Sequence, residues 1–202
     1  MKSKNLTVEH LWQCERIGTP SVSPDGQWVV VDQTTYSMDS NESATQLWLY
    51  STDGKVRKQL TSAGKKNTAP QWSPDGKLIA FCARREGDDE AQLYVIAPDG
   101  GEARRVTTLS TGVGSIKWFP DSKRVAAISW VWPDLKTDAQ QAKRKKEKKD
   151  SKVQAKVIEA DNYRYWDSWV CDGTRPHLFE ISVASGAAKD LFAGKPWTLG
   201  LG

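Results

Sequence analysis

Ser23-Pro24-Asp25-Gly26 recurs fifty residues later as Ser73-Pro74-Asp75-Gly76, and after a further 46 residues as Phe119-Pro120-Asp121-Ser122. A fixed period of roughly 40 to 50 residues is typical of the blades of a β-propeller. The recurrence therefore predicts that one small structural unit is repeated along the chain.

Each motif predicts a tight turn between two antiparallel strands. Pro presets φ near about −65°, Asp bonds back to the backbone, and Gly accepts the positive φ that closes the hairpin. In the second repeat, strand-type residues at 77–83, 93–97 and 104–108 follow the turn, and Asp99-Gly100-Gly101 forms a second turn signal. Four short antiparallel strands make one propeller blade.

A second marker travels with the turns. Leu47-Trp48-Leu49-Tyr50 matches Leu93-Tyr94-Val95-Ile96 in the second repeat and Leu178-Phe179-Glu180-Ile181 near the end of the chain. The third repeat is therefore expected to be split by a long insertion between its second and third strands.

The sequence predicts an all-β fold, a partial β-propeller of about three four-stranded antiparallel blades plus the start of a fourth, with a basic, helical insertion in blade three. The expected ranges within one incomplete propeller domain, residues 1–202, are about 18–61, 68–108 and 114–192 for the blades, 133–172 for the insertion, and Pro196-Trp197 for the fourth blade. Known propellers close with about four to eight blades, and blade faces are apolar. We expect the isolated chain to be marginally stable, to self-associate through unpaired blade faces, or to depend on residues absent from it.

The positive charge is concentrated in the insertion. The chain carries a net charge of +4, but nine Lys or Arg against three acids give residues 136–156 a charge of +6, so the remaining sequence sums to −2. The run Lys143-Arg144-Lys145-Lys146-Glu147-Lys148-Lys149 has two readings, a patch that neutralises nucleic-acid phosphates or a solvated helix. We favour the helix and disfavour nucleic acid, because residues 138–142 suit a helix and no aromatic side chain is interleaved for base stacking.

These repeats resemble the N-terminal propeller of prolyl oligopeptidase family serine peptidases, in particular the acylaminoacyl and dipeptidyl peptidase branch. The resemblance is carried by the turns, by the entry at residues 11–26 and by the Leu-Tyr-Val…Asp-Gly-Gly strand pair, and it covers essentially the whole chain. Its most specific part is the aromatic stretch at residues 163–179. The propeller of the Tol translocation system uses similar turns.

The resemblance implies a propeller that caps an α/β-hydrolase domain and restricts access to short peptides. Peptides or a hydrolase domain are thus the expected partners. The rival hypothesis is a stand-alone propeller that acts as a binding or scaffold module, like that of the Tol system.

No catalytic residue can be carried over from the peptidase family. A hydrolase nucleophile needs a Gly-x-Ser-x-Gly elbow beside a His and an Asp, and neither Ser21 nor Ser115 has that spacing. His10, in an expected N-terminal helix, and His177, at the start of an expected strand, are both interpreted as structural. The sequence thus predicts a propeller segment without catalytic machinery of its own.

Other chemistry-bearing residues also favour structural roles, and we expect no catalytic, cofactor or metal site. Asp88-Asp89-Glu90 lacks the alternate spacing of a calcium loop and is interpreted as a hairpin loop. Cys14, Cys82 and Cys171 are expected to be reduced and mostly buried thiols. Four aromatic residues of the insertion, interpreted as packing rather than as a peptide-binding mouth, are Tyr163, Tyr165, Trp166 and Trp169.

No apolar run approaches the roughly 20 residues of a membrane-spanning helix, and the first 18 residues carry charges without the apolar core of a secretory signal. The sequence predicts a cytoplasmic protein without a membrane partner.

Overall fold

The computed structural model describes residues 5–153, 155, 164–165, 168–169, 172–197 and 199. Fifteen strands and two helices are assigned to them. Their bounds, in chain order, are α1 Val8–Gln13, β1 Arg16–Ile17, β2 Ser21–Val22, β3 Trp28–Ser37, β4 Glu42–Ser51, β5 Arg57–Gln59, β6 Lys66–Trp72, β7 Ile79–Arg84, β8 Gln92–Ile96, β9 Arg104–Arg105, β10 Gly114–Trp118, β11 Arg124–Val131, α2 Asp138–Asp150, β12 Arg164–Tyr165, β13 Ser168–Trp169, β14 Arg175–Ser182 and β15 Ala188–Asp190.

The strands form three four-stranded antiparallel units, so the predicted partial propeller is confirmed. Blade one is β2-β3-β4-β5 with β1 added beside β3, blade two is β6-β7-β8-β9, and blade three is β10-β11-β14-β15. Blades one and two are joined into one nine-stranded sheet by a single parallel pairing, Thr45 with Lys66.

The Ser-Pro-Asp-Gly turns form as predicted. In the first, Ser23 Oγ donates to Asp25 Oδ1, which also accepts from the backbone N–H of Gln27, and Gly26 has φ +72°. The second turn repeats these bonds with Gly76 at φ +73°. The third departs from them, because Ser122 takes the left-handed conformation at φ +55° where the others have glycine.

Blade two is buried on both faces because it lies between the other two blades. Successive side chains of a strand point to opposite faces, and those of β7 divide between two clusters. Ile79 and Phe81 pack with residues of blade one, whereas Ala80 and Cys82 pack with residues of blade three. Each large apolar side chain buried in this way contributes about 1.5–3 kcal/mol.

The insertion of blade three leaves the sheet after β11 and returns at β14, so its predicted position is confirmed. Its basic run lies in helix α2, which begins with a capping box in which Thr137 Oγ1 accepts from the N–H of Gln140. Among the described residues, neither helix is long and apolar enough to cross a membrane. Pro196 and Trp197, predicted to open a fourth blade, follow the last strand without regular secondary structure.

Candidate functional site

A cavity of about 570 Å³ lies between blades one and two, at the end where their turns meet. Its walls come from β3, β4 and β5 of blade one, from β6 of blade two, and from the β2–β3, β4–β5, β6–β7 and β8–β9 turns. The residues that line it are Ser23, Pro24, Asp25, Trp28, Leu49, Val56, Lys58, Trp72, Asp75, Gly76, Pro98 and Asp99.

Two contacts between the blades bound this interblade cavity. On one side the turns touch, since a Cβ placed on Gly76 would lie 3.7 Å from Pro24 Cδ. On the other side Lys58 Nζ, from β5, donates to the carbonyl oxygen of Asp99 in blade two. The floor is apolar, formed by Leu49 and Trp72 of the core between the blades.

The rim of the interblade cavity is acidic. The hydrogen bond from Ser23 and the backbone N–H of Gln27 hold the pKa of Asp25 below its usual range. Ser73 and the N–H of Lys77 do the same for Asp75. Both carboxylates are therefore charged at neutral pH.

His10 has a structural role at the start of α1, as predicted. Its Nδ1 accepts the backbone N–H of Thr7 at 3.1 Å and lies 3.3 Å from Thr7 Oγ1. These bonds belong to the capping box of α1, and the residue is exposed. The helix predicted around His10 is confirmed.

His177 lies in β14 and is only 4% exposed. Its Nδ1 is 2.7 Å from Asp190 Oδ2, and this is the one hydrogen bond that its ring makes among the described residues. The equivalent positions in blades one and two are Gln46 and Gln92, which accept hydrogen bonds from threonines that follow the outer strands. His177 with Asp190 therefore clamps the outer strand of blade three, as the glutamines do in the other blades.

Neither serine considered as a nucleophile lies beside either histidine. Ser21 Oγ accepts the backbone N–H of Trp72 at 3.0 Å and so ties blade one to blade two. Ser115 lies in β10 with φ +47° at a bulge between β10 and β11. The described part of the chain thus does not assemble these residues into a Ser-His-Asp arrangement.

The acidic loop lies between β7 and β8, so the predicted hairpin location is correct. The Asp88 side chain is fully buried and paired with Arg105 at 2.5 Å. It also accepts from Tyr94 Oη at 2.6 Å and from the backbone N–H of Arg85 at 3.0 Å. Burial opposes ionisation of Asp88, but these donors outweigh it and lower its pKa. The Asp88 carboxylate is therefore occupied by hydrogen-bond donors of the protein itself.

Helix α2 is docked along one side instead of being solvated all round. Gln141 is buried, accepts the N–H of Trp132 at 3.0 Å and donates to its carbonyl at 2.9 Å. Lys145 reaches Glu90 of the β7–β8 loop at 2.6 Å, and Arg144 pairs with Asp134 at 2.8 Å. Arg144 and Lys145 of the basic run are thus paired with carboxylates outside the helix.

The cysteine prediction is correct for one described thiol and wrong for the other. Cys82 is buried, and burial raises its pKa to about 12, which makes it a poor nucleophile. Cys14 is exposed because it follows α1, none of whose residues is buried. Cys171 and the aromatic residues Tyr163 and Trp166 lie outside the described residues, and for Tyr165 and Trp169 only the strand backbone is described.

A family model described as the TolB beta propeller domain, PD40, matches residues 12–156. The chain belongs to this family. The family assignment agrees with the four-stranded blades and with the repeated turns.

Curated relatives of this PD40 chain include two peptidases. Dipeptidyl-peptidase 5 of Porphyromonas endodontalis is 35% identical over 197 residues, which are 96% of this chain and 27% of that protein. Dipeptidyl-peptidase 5 of Porphyromonas gingivalis is 30% identical over 204 residues, again 96% of this chain and 27% of that protein. The PD40 chain therefore spans about a quarter of the length of these relatives.

Solved structures support the same fold. The acylaminoacyl peptidase of Pyrococcus horikoshii superposes with a TM-score of 0.62 at 19% identity, over 91% of this chain and 26% of that one. A protein described as putative TolB from Agrobacterium tumefaciens superposes with a TM-score of 0.55 at 19% identity, over 94% of this chain and 50% of that one. Together with the relatives, these matches confirm the predicted resemblance to peptidase propellers.

The interblade cavity is the candidate feature that the sequence reasoning missed. The sequence contains part of the information needed to find it, since the two Pro-Asp turns and Pro98, which border the cavity, are visible in the repeats. The alignment of the repeats does not reveal that the gap between two blades stays open.

Proposed function

We propose that this chain is the non-catalytic propeller segment of a prolyl oligopeptidase-type serine peptidase, which gates the access of peptides to a hydrolase domain that the chain does not itself contain. In this proposal residues 1–202 form an incomplete propeller domain with the blade ranges expected from the sequence. A cytoplasmic location is part of the same proposal.

One observation carries the proposal. The alignment with dipeptidyl-peptidase 5 runs through 96% of the chain, and so through all three blades and the insertion. A match confined to the Ser-Pro-Asp-Gly turns would be expected from many propellers, whereas this alignment also includes the segment that interrupts blade three.

A second function is favoured by a different observation. The family model is that of the TolB propeller, and the Agrobacterium tumefaciens protein described as putative TolB matches over 94% of this chain. A stand-alone propeller that serves as a binding or scaffold module is therefore the alternative.

Activity-based labelling of the native polypeptide distinguishes the two functions. An antibody raised against residues 5–153 is used to capture the polypeptide from its source after treatment with a fluorophosphonate, which reacts with activated serines. We expect a labelled polypeptide much larger than the 22.5 kDa of this chain. Capture of an unlabelled polypeptide would contradict the peptidase proposal and support the binding module.

A further inference from the structure

The interblade cavity has the chemistry of a binding site for a cationic peptide. We propose that it binds a short peptide segment that bears an arginine or lysine side chain, with the stem against the indoles of Trp28 and Trp72 and the cation at Asp25 and Asp75. The inference does not rest on the proposed function, because every wall of the cavity belongs to this chain.

Comparison with the contact between blades two and three shows that the hydrogen bonding of Trp72 is unusual. Trp118, which occupies in blade three the position of Trp72 in blade two, donates its Nε1–H to the carbonyl of Gln71 at 3.0 Å. Trp72 is 8% exposed, and its Nε1 has no partner among the described residues. Ser21, which stands where Gln71 stands in the next blade, bonds instead to the backbone N–H of Trp72.

At the positions that correspond to the interblade cavity, blades two and three contact each other directly. Ser122 Oγ accepts the N–H of Asp75 at 3.0 Å, and Arg104 donates to the carbonyl of Val183 at 3.0 Å. Gly186 is so close to blade two that an added Cβ would lie 2.3 Å from the carbonyl oxygen of Val106. Blades one and two make a contact like that of Arg104, since Lys58 donates to the carbonyl of Asp99, but they enclose a cavity beside it.

The shape and lining of the cavity suit a ligand that is apolar along its length and positively charged at its end. Indole faces attract cations, with about 0.5–2 kcal/mol gained for each contact. A cavity of about 570 Å³ is in the size range of small-ligand sites and accommodates a side chain with its adjoining peptide groups.

The charges of the lining favour a cation over an anion. Asp25, Asp75 and Asp99 face one lysine, Lys58, whose ammonium is already bound to a carbonyl. The cavity therefore has a formal charge of −2 in a chain whose net charge is +4. Oδ2 of Asp25 has no partner among the described residues, and Oδ2 of Asp75 is 4.0 Å from the exposed ammonium of Lys77, so both can accept from a ligand.

Nuclear magnetic resonance of the whole chain with two matched probes tests the site. The probes are N-acetyl-glycyl-arginine amide and its neutral counterpart, N-acetyl-glycyl-citrulline amide, which has nearly the same shape. We expect the arginine probe to shift the indole N–H resonance of Trp72, assigned with Trp72→Phe, and to bind about fivefold more tightly than the citrulline probe.

Matched variants separate the cavity from the turn motif. Asn in place of Asp keeps the acceptor oxygen that the turn needs and removes the charge. The double variant Asp25→Asn with Asp75→Asn should weaken the arginine probe about fivefold, to the level of the citrulline probe. Asp53→Asn changes the same kind of Ser-x-Asp turn outside the cavity and should leave binding unchanged.

Three results would overturn the proposal. These are equal affinity for the two probes, equal weakening by Asp53→Asn and by the double variant, and saturation without a shift of the Trp72 indole resonance. The comparison of probes uses the unaltered chain, so it stays decisive even where a variant fails to fold.

Discussion

Individual polar side chains hold the outer strands of the blades in place, and the same positions are used in each blade. Gln46 and Gln92 bond to Thr61 and Thr107, and His177 pairs with Asp190 in the third blade. An alignment of the repeats already contains this signal, because each of the three residues directly precedes the leucine of the second marker. The sequence could predict a structural His177 but not its partner.

The clamp predicts which substitutions His177 tolerates. His177→Gln installs the residue of the other two blades, whose amide can donate to Asp190, so we expect a loss in unfolding free energy below about 1 kcal/mol. His177→Ala leaves the half-buried Asp190 carboxylate without its histidine partner and should cost about 2–3 kcal/mol. Urea unfolding followed by tryptophan fluorescence measures both, and equal losses would contradict the clamp.

Ionisation of the Tyr94 hydroxyl is expected to lower the free energy of unfolding at alkaline pH. Burial, and then the hydrogen bond to Asp88, raises the pKa of Tyr94 to about 12, above the value of about 10 for an unfolded tyrosine. A folded-state pKa that is raised gives stability that is complete below about pH 10 and is lost as the pH rises towards 12.

Tyr94→Phe removes this dependence. We expect the wild-type chain to be more stable than the variant by about 1–2 kcal/mol at pH 8, because the hydroxyl donates to a buried carboxylate. The difference should shrink between pH 10 and pH 11.5 in urea unfolding. A difference that stays constant over this range would show that the Tyr94 hydroxyl does not titrate as described.

At the scale of elements, the strands and turns could be predicted from the sequence, whereas the docking of helix α2 on the propeller could not. The hairpin turns are local, so Pro-Asp-Gly specifies them within four residues. The basic helix followed from its composition, but its attachment depends on backbone groups of Trp132 and on Ser110, which are brought to it only by the fold. Gln141 makes the central contact of this attachment, but no motif or spacing in the sequence predicts that it is buried.

Removal of the Gln141 side chain should undock the helix. Gln141→Ala leaves the buried N–H of Trp132 without its partner and removes one of the two donors to the Trp132 carbonyl, which keeps the N–H of Leu135. The cost is about 1–3 kcal/mol. We therefore expect trypsin to cut the basic run several-fold faster in this variant than in the wild-type chain. Ala142→Ser, at an exposed position of the same helix that trypsin does not recognise, serves as the control, and equal rates for Gln141→Ala and wild type would contradict the docking.

At the scale of the molecule, one face of blade three has no blade against it in the described residues. The inward side chains of β11, such as Val125 and Ala127, pack on blade two. Those that alternate with them, including Ile128 and Trp130, are partly exposed, with Trp130 at 43%. The number of repeats in the sequence predicts such an uncovered face. The open cavity between blades one and two could not be predicted in this way, because it depends on the hydrogen bond of Ser21 and on the packing of the two blades.

This apolar face should make the isolated chain self-associate. We expect sedimentation velocity to show oligomers that dissociate on dilution, and Trp130→Lys to shift the distribution towards the monomer because a charge is then placed on the face. Met38→Lys adds the same charge at an exposed apolar residue of blade one and should not do so. A wild-type chain that stays monomeric and melts cooperatively would contradict this expectation.

We propose that the chain contributes propeller structure to a peptidase whose catalytic serine lies elsewhere, and fluorophosphonate labelling of the purified 202-residue chain tests this proposal most directly. We predict no labelled serine by mass spectrometry and no hydrolysis of peptide substrates. A stoichiometric label on one serine of this chain, with peptidase activity that the label abolishes, would contradict the claim.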